Sequence, residues 1–112
     1  MLIVPIKKKW FDMILSGDKK EEYREIKPYY KSRFKNEFSM YPYSFIPTGQ
    51  DERQVMFRNG YSKSSPSFIA DCTLDVKHGK EEWGAEKGVE YYVLTIKKIV
   101  WKSVDNSGGY IN

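Results

Sequence analysis

The chain has one cysteine, Cys72, and one histidine, His78. A lone thiol cannot close an internal disulfide, which fits a reducing cytoplasm, the expected location. One His and one Cys cannot build a zinc centre within a single chain, so no metal is expected. No glycine loop of the Walker or Rossmann kind is present, and no Ser, His and Asp fall in a recognisable nucleophilic context. No cofactor is expected. Apolar runs are short. None approaches the roughly 18 residues of a membrane span, and no membrane partner is expected. The first apolar stretch, residues 1–6, has no basic segment before it and runs into Lys7-Lys8-Lys9, the wrong order for a secretory signal.

What is present suits a folded domain. Hydrophobic residues make up 40% and aromatics 16% of 112 residues, enough for a single modest core, so one domain over 1–112 is expected, with 105–112 as a mobile tail. The net charge is +4, a mild bias that favours a polyanion only where cations cluster. They cluster in Lys27-Pro28-Tyr29-Tyr30-Lys31-Ser32-Arg33-Phe34-Lys35, interleaved with rings. Such a mix suits nucleic acid, because cations hold phosphates while rings stack on bases, and it makes Lys27 and Tyr29 candidate contacts. The same pattern also describes an amphipathic helix whose rings face the core.

Periodicity predicts a buried strand over 2–6 and a helix over 7–16 that repeats Trp10, Phe11, Ile14 and Leu15 on one face. Gly17 is placed to end that helix in a left-handed conformation. A strand is predicted over 19–26 and a second helix over 29–38 behind Pro28. Residues 39–52 read as loop. Strands follow over 54–58, 67–76 and 90–101, with a turn at Asn59-Gly60 and a glycine-punctuated loop over 78–88. In 67–76, Phe68, Ala70, Cys72, Leu74 and Val76 alternate with Ile69, Asp71, Thr73 and Asp75. The sum is an α+β domain of about five or six mostly antiparallel strands and two helices, its sheet curled towards a barrel.

Five of the six residues 19–24 are charged. On a regular strand Glu22 and Arg24 share a face, with Lys19 at the entering turn. An Arg beside a Glu neutralises it and keeps donors for a ligand. Two readings stand open: a solvent-facing edge strand whose charges deter aggregation, or the wall of a polar cleft. Arg58 and Lys63 are candidate phosphate contacts and Tyr61 a candidate stacking ring, although the same residues describe an ordinary turn with surface charges. Lys19, Glu22 and Glu82 are the candidate acid/base groups; for Glu82, in a loop beside Trp83, plain surface is the alternative.

The spacing Gly17-x-Lys19-x-x-Glu22-x-Arg24 resembles the signature of the ASCH family, small domains of the PUA-like superfamily. Trp10-Phe11 leading to Ile14-Leu15-Ser16-Gly17, the run Tyr23-Arg24-Glu25-Ile26-Lys27-Pro28-Tyr29, Phe57-Arg58-Asn59-Gly60-Tyr61 and Gly79-Lys80-Glu81-Glu82-Trp83-Gly84 are similar to the compact bacterial and phage members. The resemblance implies a PUA-like pseudo-barrel with a cleft beside the motif that holds RNA or a nucleotide-like ligand. Lys19 and Arg24 would meet phosphate or base oxygens, and Glu22 would act as acceptor. One branch of the superfamily hydrolyses an amide on a modified cytidine with a lysine and a threonine of this motif and a distant glutamate. Lys19 matches the lysine, but Glu22 stands where that branch has its threonine, so the hydroxyl nucleophile is missing. A hydrolase acting on a modified nucleoside or RNA is one alternative function. A small protein-interaction module using residues 41–46 is another.

Overall fold

The computed structural model describes residues 1–38 and 47–103. The predicted contact patch at 41–46 and the predicted tail lie outside the described residues.

Two long strands form the spine: β4 (Ser67–His78) and β5 (Glu90–Lys102) pair antiparallel from Phe68↔Lys102 to His78↔Glu90. Phe68, Ala70, Cys72 and Leu74 are buried as the alternation predicts. Val76, the fifth member of that set, is 39% exposed, because the far end of the hairpin projects past the core. The pairing slips between Ile69 and Ala70 and between Asp71 and Cys72. Such bulges bend a strand and increase its twist.

The remaining strands extend the sheet on both sides. β3 (Arg53–Arg58) pairs antiparallel with β4, and β1 (Leu2–Pro5) lies parallel to β3. β2 (Glu21–Arg24) pairs antiparallel with β5, giving the order β1-β3-β4-β5-β2. The sheet is mixed and five-stranded, and it curls into a half-barrel in which its two edge strands approach each other. The Arg24 guanidinium on β2 donates to the Pro5 carbonyl on β1 at 2.6 Å, across the open side.

Helices α1 (Lys8–Ser16) and α2 (Pro28–Phe38) pack on this sheet. From α1, Phe11 and Ile14 are buried, while Trp10 and Leu15, predicted on the same face, are half-buried. From α2, Phe34 and Phe38 enter the core, where they meet Val55, Phe57, Phe68 and Leu94. Ring contacts join Phe11 to Phe68 at 5.0 Å, Phe57 to Phe68 at 5.1 Å and Phe34 to Tyr92 at 5.2 Å. Each fully buried ring of this kind contributes roughly 1.5–3 kcal/mol relative to exposure.

The predicted elements are all present, with shifted ends. The strand predicted over 19–26 shortens to Glu21–Arg24, because Gly17 ends α1 at φ 87° and the chain still turns through Asp18 and Lys19. A Cβ at Gly17 would meet nothing within 4 Å, so it is the positive φ that calls for glycine there. Asn59-Gly60 opens the connection between β3 and β4, which Asn59 N–H closes on the Pro66 carbonyl at 2.9 Å. A short 3-10 turn, Glu81–Trp83, interrupts the loop before β5. Among the described residues no helix is long and apolar enough to cross a membrane.

Candidate ligand cleft

The charged segment is pinned by its backbone before its side chains act. Lys19 N–H donates to Met13 O at 3.0 Å, and Asp18 O accepts the Trp83 indole N–H at 2.9 Å. This turn aims Lys19 inward, where it is 1% exposed and its ammonium sits 4.1 Å from the Trp10 ring centroid. Lys19 Nζ lies 2.5 Å from Glu22 Oε1, and Arg24 Nη1 lies 2.7 Å from Glu22 Oε2. Glu22, 3% exposed, is thus held between two cations on the inward side of β2. The edge strand does not carry its charges to solvent. Lys19 and Glu22 are buried, Arg24 is half-buried, and the three are paired.

Strand alternation sends Tyr23 the other way. Its hydroxyl donates to Glu21 Oε1 at 2.7 Å and accepts from Lys80 N–H at 2.9 Å. A Cβ on Gly79 would stand 2.6 Å from the Tyr23 ring, so the close approach of that loop needs glycine. Burial raises the Tyr23 phenol well above its ordinary value, with the Glu21 hydrogen bond adding to the shift.

The triad of two cations and one carboxylate leaves a surplus positive charge. Burial pulls the Lys19 ammonium below its ordinary value, the Glu22 carboxylate pushes back, and Arg24 and Lys9 add to the lowering. Arg24 also donates from Nη1 to Tyr23 O and from Nη2 to Pro5 O, both at 2.6 Å. Among the described residues, three of the five guanidinium N–H donors are engaged, which leaves two for a ligand.

Above Glu22 and Arg24 opens a cleft of about 680 Å³. One wall comes from the end of β1 and from Trp10, another from Tyr30 on α2, and a third from Asn59-Gly60-Tyr61. Asn59 Nδ2 donates to Ile6 O at 3.0 Å and Ile6 N–H to Arg58 O at 2.9 Å, so the loop is tied to the chain that follows β1. Tyr61 stands 91% exposed at the rim.

The predicted site residues divide into groups. Glu22, Arg24 and Tyr61 line the cleft. Lys19 does not line it but lies behind Glu22, so its part is to neutralise the carboxylate. Tyr29 belongs to an adjoining depression of about 410 Å³. Lys27 is exposed, 3.6 Å from Glu25 and 5.4 Å from the Tyr30 ring centroid. Arg58 points elsewhere, with Nη2 3.6 Å from Met56 Sδ and its buried Nε without a partner among the described residues. Lys63 and Glu82 are exposed and outside the cleft. Among the described residues no three potential metal-ligating side chains come together.

The residues missed by sequence reasoning are Pro5, Trp10, Tyr30 and Asn59. Tyr30 was visible as a ring of the basic-aromatic run 27–35, and Trp10 as a member of an amphipathic helix and of a run similar to ASCH domains, but neither was named as a contact. Asn59 carried a turn signal but none for its bond to Ile6. No family model, curated protein or solved structure matches the chain.

Proposed function

We propose that the cleft binds a nucleotide-bearing ligand, RNA or a nucleotide, in line with the resemblance of residues 17–24 to the ASCH motif. The observation that carries this reading is the buried Lys19–Glu22–Arg24 triad beneath a cleft walled by Trp10, Tyr30 and Tyr61. Arg24 offers oriented N–H donors to a phosphate or base oxygen, and the rings offer stacking faces. Both Glu22 oxygens are paired with cations, and the remaining lone pairs accept from a base edge. A volume of about 680 Å³ lies within the range of small-molecule sites.

The decisive test is fluorescence anisotropy with labelled single-stranded RNA over a salt series. Binding should weaken as salt rises, through release of counterions. Tyr61→Ala removes an exposed ring with little consequence for the fold and should cost about 1–3 kcal/mol of affinity, the worth of one stacked base. Unchanged affinity of that variant, or no salt-sensitive binding by the wild type, would sink the proposal.

A hydrolytic reading, on a modified nucleoside or on RNA, has one observation in its favour. The lowered Lys19 ammonium beside a carboxylate is an acid/base pairing of the kind that enzymes use. Lys19 lies behind Glu22, however, so the group that meets substrate would be Glu22. Product from a nucleoside panel that disappears in Glu22→Gln would establish this reading, and no product from the wild type would end it.

A further inference from the structure

The main cleft has a neighbour. The depression of about 410 Å³ runs along β1 and the start of α2, and it shares Pro5, Arg24, Tyr30 and Tyr61 with the main cleft. Its own rings are Tyr29 and Phe34 and its own cation is Arg33, whose guanidinium carbon stands 4.1 Å from the Tyr29 ring centroid. Tyr29 and Tyr30 meet edge to face at 5.0 Å, so their planes open towards different directions. The two clefts together therefore present rings and two guanidinium groups, Arg24 in the wall they share and Arg33 in the second cleft.

We propose that this double cleft takes at least two consecutive nucleotides of a single strand, with one base in each half and the phosphate that joins them on Arg24. The proposal rests on the nucleotide-binding reading above. A single-stranded nucleic acid repeats a ring and an anion, and the double cleft offers a cation with rings twice, Arg24 with Tyr30 and Tyr61 in the shared wall and Arg33 with Tyr29 beyond it. Arg24 is fixed by Glu22, Tyr23 O and Pro5 O, so its two remaining donors are pre-organised for an anion at the divide. A peptide laid along β1 as an added strand is the less favoured occupant. The edge has four residues and ends on Pro5, which has no N–H and whose carbonyl is taken by Arg24.

Titration calorimetry with 5′-phosphorylated homo-oligoribonucleotides of one to six residues, for each of the four bases, tests this at constant salt. The affinity should step up about tenfold between one and two residues for at least one base. Arg33→Ala, an exposed position whose fold is checked by its melting curve, should bring the dinucleotide down to the mononucleotide level. Any other dependence on length, or a step that survives Arg33→Ala, overturns the double cleft and leaves the main cleft a nucleotide site. No binding at any length overturns both readings.

Discussion

Two segments carry charge at high density and meet opposite fates. Residues 19–24 hold five charged side chains in six, and residues 27–35 hold four cations among three rings. In the first, Lys19 and Glu22 are buried; in the second, Lys31, Arg33 and Lys35 remain exposed. Partners make the difference. Lys19 finds a carboxylate at 2.5 Å and a ring face at 4.1 Å, both held by backbone that is already fixed. In the second segment the cations lie over rings at the surface: Lys27, just ahead of α2 and 3.6 Å from Glu25, over Tyr30, and Arg33 on α2 over Tyr29, on a helix whose Phe34 and Phe38 face the sheet. Charge density along a sequence marks a region of interest. Partner geometry decides whether it becomes an interior or a surface.

The comparison breaks most sharply at Lys19. Lys19→Met leaves Glu22 buried with one of its two cations and should destabilise the fold by about 3–5 kcal/mol. Urea unfolding measures this directly, and a loss under about 1 kcal/mol would show that the pair does not anchor the segment. Arg24→Gln comes next. It removes a charged bond to Glu22 and the tie between the two sheet edges, at about 1.5–3 kcal/mol by the same measurement. A larger loss than that of Lys19→Met would make the edge tie, not the buried pair, the dominant contact.

Alkaline pH separates the buried groups from the surface. Lys19, with its folded value below 10.5, binds fewer protons folded than unfolded in the window beneath that value, so its contribution rises with pH there. Cys72 acts in the opposite sense. Burial, helped by the charges of Asp71 and Glu52, pushes its thiol from 9.0 up to about 12, so the folded state keeps a proton that the unfolded chain loses above pH 9. Tyr23 and Tyr92, raised above 10.0 chiefly by burial, do the same from pH 10. Lys19 and Cys72 therefore oppose each other up to 10.5, and stability should fall clearly above that point, by about 1.4 kcal/mol per pH unit for each group still in its window. Unfolding curves from pH 8 to 11.5 follow this, and Lys19→Met should steepen the fall just below 10.5. A stability that keeps rising through pH 11 would contradict these burial assignments.

Most of the architecture was legible because it is written locally. Alternation in residues 67–76, the β-rich run before Trp101 and the glycine after Ser16 each specify an element without reference to distant chain. The site was only half legible. Glu22 and Arg24 share a face by strand geometry alone, and their pairing follows. The burial of Lys19 depends on Trp10 from one element and Glu22 from another, and the cleft needs Pro5, which reaches Arg24 only because β1 adds in parallel to a strand some fifty residues later. No local pattern encodes such contacts. Lys63 and Glu82 were read from residue type in loops, where type does not fix direction, and Arg58 from the last position of a strand, where the turn that follows decides what it faces.

The smallest effect tests the other half of the comparison. Lys31→Ala with Lys35→Ala removes two exposed cations from α2, for which no ion pair is formed among the described residues. Stability should change by less than about 0.5 kcal/mol per substitution, as for surface positions generally. Lys35, in the last turn, should cost the more of the two, since a cation there faces the negative end of the helix dipole. If RNA runs over α2 from the double cleft, the same variant should flatten the dependence of log K on log salt by about 0.7 for each phosphate that α2 no longer neutralises. An unchanged slope would confine the ligand to Arg24 and Arg33, and a stability loss above about 1 kcal/mol would mean that α2, too, hides charge that its exposure does not reveal.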